Sequence, residues 1–173
     1  RLARRLPVDL PEPRHVGRPG LGYPWHWSIV PWLPGATADR TPLGADQAGP
    51  LARFLAALHA PARAAARRER CSPARRRGRA RDVEARLRRL RTSTRVITEA
   101  VEAAWGRALA APAATAPHWL HGDLHPRNVL VEHGRLAAVI DWGDVTRGDV
   151  ATDLAGIWML LADTRARQEA LAT

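Results

Sequence analysis

Two carboxylates, an amide and a histidine crowd one stretch of the chain. His121, Asp123, Asn128 and Asp141 lie within HWLHGDLHPRNVLVEHGRLAAVIDWGDV, residues 118–145. Carboxylate and amide oxygens are hard donors suited to Mg²⁺, which typically takes one or two protein oxygens and fills the rest of its shell from water and substrate phosphates. Asp123, Asn128 and Asp141 therefore point to a magnesium–nucleotide partner better than to a closed metal cage. The set requires the chain to fold back on itself. Apolar runs at 129–131 and 136–140, joined by the polar turn His133-Gly134, predict a β-hairpin. Its outer ends meet in space, so the three residues converge although 18 residues separate Asp123 from Asp141. Asp and Asn also favour turns, but the spacing and the neighbouring sequence count against their being turn residues alone. His121-x-Asp123-x-His125 shows the alternation of a transition-metal site on one strand face. No further His or Cys cluster in the sequence supports it.

Other elements must position this block. HWSIVPW, residues 26–32, combines β-branched and aromatic residues and predicts a strand ending at Pro31; LPGATADRTPLG, 33–44, reads as a loop. From Asp46 to His59 a helix is expected, because Leu51, Phe54, Leu55 and Leu58 repeat at helical spacing. Residues 62–81 read as an arginine-rich connector broken at Ser72-Pro73. A second helix is predicted from about Asp82 to Leu109, with Val83, Leu87, Leu90, Thr94, Ile97, Val101 and Trp105 on one face. APAATAP, 111–117, reads as a linker. After the hairpin, Asp149 to Leu161 predicts a helix with Ala151, Leu154, Ile157, Trp158 and Leu161 inward, followed by a short terminal helix. Asp149 is placed to cap that helix; Asp144 faces solvent, substrate or metal. Gly17, Gly20 and Gly22 mimic part of a phosphate-binding loop, but Tyr23-Pro24 follows rather than a helix, so they read as a turn before a strand.

Composition bounds the possibilities. The chain has 173 residues and a formal net charge of +10, and all 27 basic residues are arginine. Without lysine it has no Walker-type phosphate loop and no Schiff-base lysine of its own. Retention of arginine alone in an Ala-rich chain points to GC-rich coding, which weakens the charge as a sign of nucleic-acid binding. The charge is also local: residues 61–95 carry 14 Arg against Glu69, Asp82 and Glu84. Aromatics do not interleave with that run, which counts against base stacking, and a solvated outer helix face is expected. The seven Trp read as core or hinge. Hydrophobic content of 46% supports a packed core, and no apolar stretch is long enough to span a membrane. One cysteine, Cys71, and no visible signal peptide favour a cytoplasmic setting. The abrupt ends, Arg1 and Thr173, read as those of a segment of a longer protein.

HGDLHPRNVLV followed by VIDWGD resembles the aminoglycoside phosphotransferase and choline kinase-like family, which shares the protein-kinase fold. GYPWHWSIVPWLPG is similar to that family's last N-lobe strand and hinge, and LARFLAALHA to its next helix. The resemblance implies an α+β protein-kinase-like fold: residues 1–35 a remnant of the N-lobe, residues 36–173 a mainly helical C-lobe incomplete at its C-terminal end. The hairpin would carry the catalytic and metal residues. The resemblance further implies an ATP- and Mg²⁺-dependent phosphotransferase moving the γ-phosphoryl group to a hydroxyl of a small molecule, an aminoglycoside-like antibiotic or another hydroxylated metabolite. Its catalytic residues would be Asp123, which orients or deprotonates the acceptor, and His121, which braces the loop. Asn128 and Asp141 would hold metal. Trp32 and Leu33 of the hinge, with Leu130 and Ile140, would pack around the adenine, and Asp153 would support the catalytic-loop backbone. Arg127 departs from the glycine many members carry; it faces either the phosphates or solvent. The family's glycine-rich loop and lysine would lie before residue 1.

Two other readings compete: a truncated, inactive relative serving as a binding scaffold, and an arginine-rich RNA-binding module using 63–95. A small-molecule acceptor and a nucleotide are the expected partners, with neither membrane nor nucleic acid.

Overall fold

The computed structural model describes residues 5–62, 73–112 and 116–172, with the backbone alone for 73–79. Strand β1 (His15–Gly17) pairs antiparallel with β2 (Trp27–Ile29), in the register His15↔Ile29. Gly20 and Tyr23 exchange backbone hydrogen bonds in the turn between them, so the glycine cluster serves a turn. β2 ends at Ile29, just short of Pro31, which has no N–H to give a ladder.

A three-stranded sheet forms the platform for the site. β3 (Ala36–Thr37) lies beside β5 (Val129–Glu132), and β5 beside β6 (Arg135–Val139), all antiparallel. The predicted hairpin is β5–β6, and a register irregularity falls between Leu130 and Val131. β3 lies within a segment expected to be loop; it is only two residues long and its pairing with β5 is nonlocal. Asp9 bridges to β6, donating to Ala137 O at 3.2 Å and accepting from Val139 N at 3.1 Å.

Helix α1 (Ala48–Leu58) follows a 3₁₀ turn at Ala45–Gln47. Its stripe of Leu51, Phe54, Leu55 and Leu58 is buried. The core joins it to Val129, Val131 and Val139 of the hairpin and to Ile157, Leu160 and Leu161. Each such side chain contributes roughly 1.5–3 kcal/mol by leaving water.

The predicted helix over 82–109 is two helices, α2 (Pro73–Ser93) and α3 (Glu99–Ala110). The cause is local. The hydroxyls of Thr92 and Ser93 donate back to Arg89 O, and that of Thr94 to Leu90 O, offering the backbone an alternative to helix. Thr98 then restarts the helix as N-cap, its side chain accepting from Val101 N. Arg91 reaches across the break to Glu102 at 2.8 Å. Residues 73–81, expected as connector, belong to α2, because proline suits a first helical turn and Ala and Arg are good helix formers. The remainder of that connector, 63–72, lies outside the described residues.

β4 (His118–Leu120) pairs antiparallel with β7 (Thr146–Gly148). Between Asp149 and Leu161 the predicted helix is divided into α4 (Ala151–Leu154) and α5 (Gly156–Leu160), and α6 (Thr164–Ala172) follows. The division turns one face outward. Ile157 and Leu161 are buried, but Trp158 is 57% exposed and lines an open groove with Ala151, Leu154, Ala155 and Leu171. Trp25 and Trp27 are exposed too, against the expectation of core or hinge positions for the tryptophans. Among the described residues no helix is long and apolar enough to cross a membrane.

Candidate active site

The segment between β4 and β5 carries His121, Asp123 and Asn128, and its backbone is fixed by buried groups. Asp153, fully buried on α4, accepts from His121 N at 2.7 Å and from Gly122 N at 2.9 Å, one bond to each oxygen. His59, just past the end of α1, stands 3.3 Å from the same carboxylate. Gly122 adopts φ +88°, and a Cβ there would meet the carbonyl oxygen of Asp144 at 2.6 Å. The turn thus requires glycine both for its backbone angle and for the close approach of β7's leading segment.

His121 is fully buried. Its Nε2 lies 2.9 Å from Ile140 O and its Nδ1 accepts from Asp123 N at 3.3 Å. Both ring nitrogens are therefore engaged with backbone, which leaves none for a metal and disposes of the His-x-Asp-x-His alternative. Trp142 packs against the imidazole at 4.8 Å between ring centroids and meets Phe54 edge-on at 6.4 Å, linking the core to the loop. Its indole N–H donates to Val139 O at 2.8 Å.

Asp123 and Asn128 come together directly. Asn128 Nδ2 donates to Asp123 O at 2.9 Å and lies 3.4 Å from Asp123 Oδ2. Asn128 is buried, whereas the Asp123 side chain is half exposed and open to a reactant. His125 Nε2 stands 3.4 Å from the Asp123 carboxylate, and its Nδ1 accepts from Arg127 N. Asp141 is brought alongside by a backbone bond from Ile140 N to Asn128 O at 2.9 Å, which joins the two ends of the hairpin. Asp141 itself sits at φ 60°, ψ 60°, the left-handed region that Asp tolerates better than most residues.

With the amide nitrogen of Asn128 engaged at Asp123, its oxygen remains to face a cation, as does the exposed Asp141 carboxylate. This two-oxygen set fits an ion that completes its shell with water and phosphate. No group of three or more His, Cys, Asp or Glu suited to a metal exists among the described residues, which a magnesium ion shared with a nucleotide does not require.

Beside these groups opens a cavity of about 830 Å³. All four residues expected around an adenine line it: Trp32 and Leu33 from the segment after β2, and Leu130 and Ile140 from the hairpin. Asp141 also lines it. Thr37, Asp39, Arg40 and Arg127 also line it. Asp39 and its neighbours were not marked by any local pattern, since they sit in a polar loop. A hydrogen bond from the Thr37 side chain, and with it the charge of Arg127, holds the Asp39 carboxyl below its ordinary value.

The chain was compared with known proteins. The profile of the phosphotransferase enzyme family matches residues 1–173. A macrolide 2'-phosphotransferase from Brachybacterium faecium is 27% identical, with a TM-score of 0.60, over 99% of this chain and 59% of its own. The GDP complex of aminoglycoside 2'-phosphotransferase-IIIa is 16% identical, with a TM-score of 0.59, over 99% and 61%. The streptomycin-ATP-APH(2")-IIa ternary complex is 18% identical, with a TM-score of 0.58, over 96% and 60%. These last two share the fold. The chain thus spans about 60% of the length of these solved relatives. No curated protein sequence matches it.

Proposed function

Because the chain belongs to the phosphotransferase enzyme family, we propose that its site transfers the γ-phosphoryl group of ATP to a hydroxyl of a small molecule. The observation that carries this reading is that Asn128 bonds to Asp123 while the backbone bond from Ile140 N to Asn128 O sets the next residue, Asp141, in the lining of a cavity large enough for a nucleotide. Trp32, Leu33, Leu130 and Ile140 supply apolar surface for the base. Asn128 and Asp141 would hold Mg²⁺, which would supply charge neutralisation along the phosphates. Asp123 accepts a hydrogen bond from the acceptor hydroxyl and takes its proton as the oxygen attacks the γ-phosphorus in line, the bond from that phosphorus to the β–γ bridging oxygen breaks and ADP leaves. His121 and Asp153 set the loop that aims Asp123; neither touches the reactants. The acceptor is an aminoglycoside-like antibiotic or another hydroxylated metabolite, and the macrolide 2'-phosphotransferase likeness adds macrolides to that class.

The test is transfer of label from γ-labelled ATP to a panel of hydroxylated antibiotics, with Asp123→Asn beside the wild type. The variant should lose about 10²–10⁴-fold in rate with an unchanged circular dichroism spectrum. Normal turnover by Asp123→Asn would sink the assignment. A binding scaffold without turnover is the second reading. ATP binding without label transfer to any acceptor would select it.

A further inference from the structure

Arg127 has no part in the reaction as described, yet it lines the nucleotide cavity. It precedes Asn128 in the short turn Pro126–Asn128, and its side chain is 79% exposed. Its Nε stands 3.4 Å from Asp39 Oδ2. One explanation of that pair is mechanical, a tie between the segment after β3 and the turn. The backbone already makes this tie: Ala38 N lies 2.9 Å from both Pro126 O and Val129 O. The ion pair adds little to it, being long and solvent-exposed.

The charge balance of the cavity gives Arg127 a different use. Its lining carries two acids, Asp39 and Asp141, and two bases, Arg40 and Arg127. A nucleotide brings several further negative charges to this balanced lining. A guanidinium offers a planar fork of donors that matches phosphate oxygens. The Asp39 pair does not hold the guanidinium firmly, because exchanging a weak exposed partner for a more highly charged one costs little.

We infer that Arg127 is a specificity-determining residue of this cavity, whose guanidinium leaves Asp39 to engage the phosphate chain, so that a phosphorylated nucleotide is selected over its nucleoside. The inference rests on the nucleotide reading of the cavity. Its test is calorimetric titration of the protein with ATP, ADP and adenosine in Mg²⁺, using wild type, Arg127→Ala and Asp39→Asn. Wild type should bind ATP and ADP more tightly than adenosine. Arg127→Ala should weaken ATP about fivefold and leave adenosine unchanged. Asp39→Asn frees the cation and should bind ATP at least as well as wild type. Three results would overturn the proposal: equal wild-type affinity for ATP and adenosine, an Arg127→Ala variant that keeps its ATP affinity, or Asp39→Asn weakening ATP as Arg127→Ala does, which would mark a tether. Wild-type binding of neither ATP nor adenosine would overturn the nucleotide reading first, and this inference with it.

Discussion

Asp153 accepts two backbone N–H groups from the segment that carries His121 and Asp123 while fully buried. Asp153→Ala would strand both donors, and each buried unsatisfied donor costs about 1–3 kcal/mol. Urea denaturation should therefore show a loss of about 2–6 kcal/mol, with Asp153→Asn losing less. Gly122→Ala faces a positive φ and the Asp144 carbonyl together. It should lower stability by about 1–3 kcal/mol in thermal unfolding and reduce transfer, because the shifted turn carries Asp123. The spacing of His121, Asp123, Asn128 and Asp141 was legible in the sequence, since a hairpin brings its ends together whatever surrounds it. The place of Asp39 was not: its partners Thr37 and Arg127 come from a strand too short to show a period and from a distant turn. His59 was equally hidden, because only the packing of α1 sets its ring beside Asp153.

At the scale of elements, α1 is the helix on which the site is built. Its stripe was readable because the whole face is buried and carries no break. Phe54 fills the centre of that face and reaches Trp142, which in turn packs on His121. Phe54→Ala should cost about 3–5 kcal/mol by chemical denaturation, and the loosened Trp142 should lower transfer beyond the stability loss. The helix over 82–109 misleads for a physical reason. Apolar residues keep their helical steps through Thr94 and Ile97, so periodicity alone carries no sign of the hydroxyl-to-carbonyl bonds that interrupt it. β4 and β7 escaped because each has three residues and its partner lies far along the chain.

For the whole molecule, the net charge of +10 is concentrated in residues 61–95, with 14 Arg against three acids. Arg81, Arg86, Arg88, Arg89 and Arg91 of α2 are exposed, while Val83, Leu87 and Leu90 are half-buried. Replacing Arg88 and Arg89 by Gln should change stability by less than about 0.5 kcal/mol. A gel-shift assay should give no salt-dependent RNA complex that depends on these arginines; such a complex would support the nucleic-acid reading. The hinge side, the hairpin and the loop between β4 and β5 instead meet at one cavity. We propose that Asn128 and Asp141, brought together by the hairpin, make that cavity a magnesium–ATP site. It is tested most directly by calorimetric titration of ATP with and without Mg²⁺, in wild type and in Asp141→Ala. Wild type should bind ATP more tightly in Mg²⁺, and Asp141→Ala should lose that gain while keeping its metal-free affinity. ATP binding indifferent to Mg²⁺, or a gain that survives in Asp141→Ala, would contradict the claim.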